Sequence, residues 1–310
     1  MTIRLATISD TLSIIKIWRE CFTEDTLFIE NFISHCFPYT KTWILTPSDS
    51  ETPVAVLSLL PSYTKYKNRI FNGGYVYGVA TMPDFRGRSY SGALMERAIQ
   101  YSVEEELHYI VVKPATDSLF DLYKKQSFDT IISKSITQID ISEQIDINSC
   151  SHKEREYPDC SLVSVGEKII TDYNLYSIRE DELSNSHLLW TKEILTYTIK
   201  DALLKGGDIV IITNMKSTDR VIYFIYYPID DLGEIIKVVE CNAKSTKEIY
   251  HFTNYIKSSC FSAKTIIIEG HLDGYTGLNF TIERSALIKR LKKGDPLKYL
   301  DNLHLALPME

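Results

Sequence analysis

The 310-residue sequence lacks the marks of several protein classes. No apolar run approaches the ~18 to 20 residues of a membrane-spanning helix. The first residues become polar at once, so we expect no signal peptide and a cytoplasmic location. The six cysteines are scattered without a Cys-x-x-Cys pair, which argues against zinc, against any metal site of that kind and against a secreted disulfide framework. The net charge of −7 argues against nucleic acid as a partner.

Length and composition indicate a globular chain of two domains. The hydrophobic share of 44% and the charged share of 24% are ordinary for globular proteins, and 310 residues exceed a typical single domain. Between Ile141 and Cys160 the sequence turns polar, which is typical of a linker. We therefore predict one domain over residues 1–145 and a second over 160–310.

The most informative stretch is the basic, small-residue loop from Arg86 to Gly92. It follows an apolar run, Tyr75 to Met82, and a Pro-Asp turn. It leads into a helix with apolar residues at three- and four-residue spacing: Leu94, Met95, Ala98, Ile99 and Val103. The first turn of a helix has unpaired amides and the positive end of the dipole. This order therefore predicts a site for a pyrophosphate group.

The elements around the loop continue in a regular order. After it we predict the strand His108 to Lys113, a helix from Ser118 to Gln126 capped by Asp117, and a strand from Phe128. Before it, the patterns predict the strand Ile3 to Ala6, a helix after Asp10, a helix from Thr26 to Cys36, and strands Lys41 to Leu45 and Thr52 to Leu60.

Two segments resemble the GNAT superfamily of acetyl-CoA-dependent N-acetyltransferases. They are Val79-Ala80-Thr81-Met82-Pro83-Asp84-Phe85-Arg86-Gly87-Arg88-Ser89-Tyr90-Ser91 and, about thirty residues later, Leu122-Tyr123-Lys124-Lys125-Gln126-Ser127-Phe128. The resemblance covers most of residues 1–140. It implies an α+β fold, in which helices flank a mixed, mostly antiparallel sheet. It also implies acetyl-CoA as the co-substrate, with cofactor contacts from Val79, Thr81, Arg86, Gly87, Arg88, Ser89, Tyr90, Ser91 and Gly92.

The loop departs from the family pattern Arg/Gln-x-x-Gly-x-Gly/Ala at two positions. Arg86 holds the first position, but Ser89 and Ser91 stand where glycines are usual. Serine in a left-handed conformation carries a strain penalty, although it keeps its N–H and adds a hydroxyl. Either serine could also be the N-cap of the helix. These residues are compatible both with a loop that binds the pyrophosphate more weakly and with a loop that does not bind it.

Tyr123 is the predicted catalytic residue. The resemblance implies that this tyrosine protonates the departing coenzyme A thiolate, and a phenol with a reference pKa near 10 is protonated at neutral pH. The strand Tyr75 to Thr81 contains no carboxylate to serve as general base. Water could relay the proton instead, and the other candidates are Glu24, Asp25 and Glu310.

The second half repeats the coarse order of the first. A helix-rich stretch that includes Leu188-Leu189-Trp190 precedes three predicted strands, a helix from Lys247 to Ser258 and the strand Thr265 to Ile268. Ser285 to Leu291 is predicted as a helix end or a strand. Cys241 to Thr246 lacks the loop motif, so cofactor binding is assigned to the first half alone. The arrangement resembles tandem-GNAT proteins and the first two regions of Eis-type acetyltransferases.

The resulting hypothesis is a transferase: an acetyl-CoA-dependent N-acetyltransferase in which a primary amine, as free base, attacks the thioester directly. The negative net charge mildly favours a cationic, small-molecule acceptor. Two alternatives stay open. One is a degenerate GNAT that binds an acyl-CoA or acts as a protein-interaction module. The other is an aminoacyl-tRNA-dependent peptidyltransferase. The sequence leaves the acceptor, the role of the second half and the oligomeric state undetermined.

Overall fold

The structure is a computed structural model that describes residues 1–22, 26–66, 69–142, 160–164, 174–183, 187–214, 217–260, 262–270, 278–292 and 304–305. The chain forms two compact units. The first combines Met1–Ser133, Ser184–Asp201 and Arg284–Glu310, and the second combines Lys134–Leu183 and Ala202–Glu283. Strands and helices are numbered below in chain order.

The first unit is a sheet with helices. Its strands are β1 (Thr2–Leu5), β2 (Lys41–Thr46), β3 (Ala55–Tyr66), β4 (Arg69–Thr81), β5 (Tyr109–Val112), β8 (His187–Trp190), β14 (His304–Leu305) and most of β13 (Thr281–Arg290). Its helices are α1 (Thr11–Cys21), α2 (Thr26–His35), α3 (Tyr90–Glu104), α4 (Asp117–Lys124) and most of α6 (Lys192–Leu204).

The strands of this unit run in the order β1-β2-β3-β4-β5-β13. Every neighbouring pair in that order is antiparallel except β4 and β5, which are parallel. A parallel pair needs a crossover connection, and α3 provides it between these two strands. The loop before α3 is therefore fixed at the end of β4.

The second unit repeats this plan. Its elements are most of β6 (Thr130–Asp140), β7 (Cys160–Ser164), α5 (Leu175–Leu183), β9 (Asp208–Asn214), β10 (Ser217–Pro228), β11 (Ile235–Cys241), α7 (Thr246–Ser259) and β12 (Thr265–Gly270). The strand order is β6-β12-β11-β10-β9-β7. Here too a single pair, β11 and β12, is parallel, and the helix α7 connects its strands.

Burial explains why α3 forms where the sequence predicts it. Leu94, Met95 and Ala98 lie in the core of the first unit against strands β2 to β5. Burying a large aliphatic side chain contributes about 1.5 to 3 kcal/mol, so this face holds the helix on the sheet. Val103, predicted on the same face, is instead 56% exposed, because it lies in the last turn of the helix.

The mixed α+β fold with a mostly antiparallel sheet is confirmed, but some local predictions are wrong. Leu188, Leu189 and Trp190 form strand β8, which pairs with β3, rather than part of a helix. All three are buried, and a short, fully buried apolar run has no periodicity that separates helix from strand. Thr116, and not Asp117, is the N-cap residue of α4. The domain ranges 1–145 and 160–310 stay a prediction, and most of the proposed linker lies outside the described residues.

Candidate active site

The candidate site begins where β4 separates from β5. The register between the two strands ends at Val76 and Val112, whereas β4 continues to Thr81. Among the described strands, none pairs with this edge of β4 beyond Val76. The last residues of β4 therefore present backbone groups to the space beside α3.

An irregularity in β4 shapes the same edge. In the pairing of β3 with β4, Val56 lies opposite Ala80 but Ser58 lies opposite Tyr77, so β4 carries one extra residue there. Gly78, in this bulge, has a φ of 60°, a conformation that favours glycine. Bulges bend a strand and re-aim its side chains. This one immediately precedes Val79 and Thr81, two of the predicted cofactor residues.

The start of α3 has the backbone geometry expected of an anion cradle. The first intrahelical hydrogen bond joins the Ala93 N–H to the Ser89 carbonyl at 3.1 Å, so the amides of Tyr90, Ser91 and Gly92 precede it. Ser89 is the N-cap residue with a φ of 59°, and its side chain makes no capping hydrogen bond. The first amides of α3 are thus not capped by the Ser89 side chain and are available to a ligand.

A pocket of about 600 Å³ opens between the end of β4, the first turns of α3, and α4. Every predicted cofactor residue except Arg88 lines it, and so does Tyr123. The structure therefore brings together nine of the ten residues that the sequence singled out. The predicted roles of these residues stay predictions.

The two loop arginines have different surroundings. Arg86 lines the pocket, and its Nε donates a hydrogen bond to the Thr81 carbonyl at 3.1 Å, which ties the loop to the end of β4. Arg88 does not line the pocket. Its guanidinium is 3.0 Å from a carboxylate oxygen of Asp49 and lies over the Phe85 ring. The pocket gives no support to the predicted cofactor contact of Arg88.

Tyr123 lies in the last turn of α4. Its side chain is buried in the hydrophobic core of the first unit, and the residue also lines the pocket. Its ring packs edge-on against Phe128, with 5.9 Å between the centroids. Burial raises the pKa of the Tyr123 phenol to about 12. The phenol therefore stays protonated throughout the physiological pH range, as a proton donor must.

Two residues that line the pocket carry buried polar atoms without partners. Within the described part of the chain, Thr81 Oγ1 and Gln126 Oε1 are buried and make no hydrogen bond. Both residues line the pocket. An unpaired buried acceptor costs free energy that a ligand with N–H or O–H donors would recover. Together with the open helix end, these atoms fit a long ligand that has an anionic group at one end and amide groups along its arm.

Several pocket residues were not predicted from the sequence. They are Cys21 and Phe22 at the end of α1, Met95 and Glu96 on α3, and Lys125 and Gln126 after α4. Met95 and Phe22 are apolar residues of ordinary helices, with nothing in the sequence to mark them. Lys125 and Gln126 stand inside the motif around Tyr123, so their place in the motif was the available signal.

The general base is not assigned by this geometry. Glu24, Asp25 and Glu310, the candidates from the sequence, lie outside the described residues. Among the described residues that line the pocket, Glu96 is the one carboxylate, and it is exposed. Nor does the described part of the chain contain a cluster of three or more His, Cys, Asp or Glu side chains able to hold a metal ion.

The helix of the second unit that corresponds to α3 is α7, and its N-terminus is capped by a side chain. The Ser245 side chain accepts a hydrogen bond from the Glu248 amide at the start of α7, and the Glu248 carboxylate accepts one from the Lys244 amide. The Ser245 hydroxyl therefore caps the helix and satisfies the Glu248 amide, one of the first-turn donors that a phosphate would otherwise bind. The helix that begins at Thr246 therefore differs from α3 in the feature that makes a cradle.

Comparisons with known proteins bear on the family and on the fold. Residues 2–130 match the family model for an acetyltransferase (GNAT) domain. This part of the chain is thus similar to a GNAT acetyltransferase domain, and the match supports an acyltransferase. No curated protein sequence matches the chain.

Solved structures share the fold over nearly the whole chain. A conserved protein of unknown function from Enterococcus faecalis V583, named a probable N-acyltransferase, has a TM-score of 0.71 at 13% identity over 94% of this chain and 72% of its own. Eis1 from Mycobacterium abscessus has a TM-score of 0.62 at 10% identity, over 94% and 74%. A tandem GNAT protein from the clavulanic acid biosynthesis pathway has 0.52 at 11% identity, over 95% and 100%. At such identities these likenesses concern the fold alone. No described helix is long and apolar enough to cross a membrane.

Proposed function

We propose that the chain transfers an acetyl group from acetyl-CoA to a primary amine, with the reaction centre in the pocket of the first unit. One observation supports the proposal: residues from the uncapped start of α3, from the edge of β4 that β5 leaves unpaired beyond Val76, and Tyr123 of α4 all line the same pocket. These are the three parts that a nucleotide-linked thioester requires, namely an anion cradle, a backbone edge and a proton donor.

The cradle holds the donor. Amides of Tyr90, Ser91 and Gly92 at the start of α3 are positioned to bind the pyrophosphate group, and the helix dipole favours negative charge there. Arg86 adds a guanidinium at the same end of the pocket. The bound donor supplies an activated acyl thioester. The end of β4 lies along the other wall, where its N–H groups are available to polarise a carbonyl.

Tyr123 supplies the proton that the leaving sulfur needs. As the amine nitrogen forms its bond to the acyl carbon, the carbon–sulfur bond breaks, and the phenol protonates the departing thiolate. With a pKa near 12, Tyr123 keeps its proton below about pH 11. The alkaline limb of a pH–rate profile should therefore not arise from this residue at ordinary assay pH.

The acceptor enters as a free amine, since only the unprotonated nitrogen has a lone pair to attack. Its excess proton passes to water or to a base that is not assigned here. The chain's net charge of −7 favours attraction of amines that carry further positive charge, such as a polyamine or an amino sugar. A cytoplasmic location is proposed with this function.

A comparison of the chain with its Tyr123→Phe variant tests the proposal. Amines are screened by release of free thiol from acetyl-CoA, and the variant is assayed with the amine that turns over best. Phenylalanine keeps the ring packing and removes the proton donor, so kcat should fall by roughly 10²- to 10⁴-fold while acetyl-CoA affinity is nearly unchanged. Tyr101→Phe, a half-buried tyrosine of α3 outside the pocket, is the matched control. Equal kcat values for Tyr123→Phe and the parent would remove the acid role.

A further inference from the structure

Gln126 is the pocket residue whose chemistry the proposed function leaves unused. It stands three positions after Tyr123, directly after α4, and its side chain lines the same pocket. Residues three apart at a helical turn share a face. Gln126 and Tyr123 therefore approach the ligand from the same side.

The backbone at Gln126 is held in place from two directions. Its N–H donates to the Tyr123 carbonyl at 2.9 Å, and its own carbonyl accepts a hydrogen bond from Lys289 Nζ of β13 at 2.7 Å. The next residue, Ser127, has a φ of 65°, the left-handed conformation that ends a helix. A residue with its backbone fixed in this way has a defined direction for its side chain.

The carboxamide lies against the first turn of α3. A Cβ placed on Gly92 would be 3.8 Å from Gln126 Nε2, and no closer neighbour lies within 4 Å of that position. The Gln126 carboxamide thus lies beside the predicted pyrophosphate cradle, in a pocket that Tyr123 also lines.

The same carboxamide has an unused acceptor. Gln126 Oε1 is buried and has no hydrogen-bond partner among the described residues, whereas the side chain as a whole is half-buried. Buried acceptors are nearly always paired in native proteins, so a missing donor at this position points to a ligand.

We infer that Gln126 binds the arm of the acyl donor by accepting a hydrogen bond from a secondary amide of its pantetheine chain. This inference rests on the proposed function. The pyrophosphate carries no donor at neutral pH, whereas the arm that is joined to it carries two secondary amide N–H groups. Gln126 is therefore a binding residue for the arm and has no part in the chemical step.

Calorimetric titration of coenzyme A into the full chain and its variants tests the inference. Gln126→Leu and Gln126→Met remove the acceptor and preserve side-chain bulk. Gln100→Leu, an exposed glutamine on α3 away from the pocket, is the matched control. The two Gln126 variants should bind coenzyme A about five- to tenfold more weakly than the parent, and Gln100→Leu should match the parent.

A second ligand locates the contact. 3′-Phosphoadenosine 5′-diphosphate keeps both phosphates of the pyrophosphate and lacks the arm, and its affinity is measured by displacement of coenzyme A. The inference predicts that Gln126→Leu and the parent bind this nucleotide with equal affinity. An equal loss for both ligands would place the contact on the nucleotide and overturn the inference. So would unchanged coenzyme A binding in both variants, although the proposed function would then stand. A parent chain that does not bind coenzyme A would overturn both.

Discussion

The indole N–H of Trp18 donates a hydrogen bond to the Gly78 carbonyl, with 2.9 Å between nitrogen and oxygen. Gly78 is the bulge residue of β4, and Trp18 is a buried residue of α1. This contact fixes the strand at the point where it leaves its partner β5 and turns toward the pocket. The bulge is thus held by the helix that packs on it.

Gly78→Ala should therefore destabilise the chain strongly. A Cβ at this position would lie 2.4 Å from Trp18 Cζ2, and its φ of 60° is unfavourable for alanine. Left-handed strain and overpacking together should cost about 2 to 5 kcal/mol, measured as the free energy of unfolding in urea. Gly87→Ala is the matched control, because Gly87 has a φ of 78° but no atom within 4 Å of its Cβ position. The Gly87→Ala variant should lose about 1 to 2 kcal/mol of the free energy of unfolding. Equal losses would mean that Trp18 imposes no close-packing constraint on the strand.

The loop arginines should contribute unequally to cofactor affinity. Arg86 lines the pocket and Arg88 pairs with Asp49 outside it. We expect Arg86→Ala to weaken coenzyme A binding about tenfold or more, as the loss of a charged contact to a phosphate does, and Arg88→Ala to change it by less than about threefold. Isothermal calorimetry at low and at physiological salt measures both. A larger loss for Arg88→Ala would place the phosphates on the opposite side of the loop.

Ser89→Gly and Ser91→Gly should have opposite effects on stability. Ser89 has a left-handed φ of 59°, whereas Ser91 lies in the first turn of α3. Glycine at residue 89 should therefore stabilise the chain by about 1 kcal/mol, and glycine at residue 91 should destabilise it by about 0.5 to 1 kcal/mol. Urea denaturation midpoints give the comparison. A Ser89→Gly variant that loses stability would show that the serine side chain makes a contact worth more than the strain.

Short local features were easier to predict from the sequence than the pairing of distant strands. The loop Arg86 to Gly92 was singled out because small and basic residues precede a helix, and Tyr123 because its segment resembles the GNAT family; all of them except Arg88 line one pocket. Ser89, one of the two serines considered as N-cap, is the N-cap residue of α3. These features depend on short segments, which one sequence is sufficient to show.

Features that depend on distant pairing were not predictable in the same way. Strand β8 pairs with β3 across more than a hundred residues, and the buried run Leu188 to Trp190 gives no sign of that partner. The sequence did not indicate that Gln126 lines the pocket. Its position there depends on its proximity to Gly92 and on the hydrogen bond that Lys289 donates to its carbonyl. Neither relationship leaves a periodic signal in the sequence.

Titration of acetyl-CoA into the full chain tests the central claim most directly. The open start of α3 and the capped start of α7 together predict one binding site per chain, with a dissociation constant in the micromolar range. Calorimetry reports affinity and stoichiometry in one experiment. A single site whose affinity falls in Arg86→Ala is the predicted result. Absence of binding at millimolar acetyl-CoA would contradict the account, and two equivalent sites would contradict the assignment of cofactor binding to the first unit.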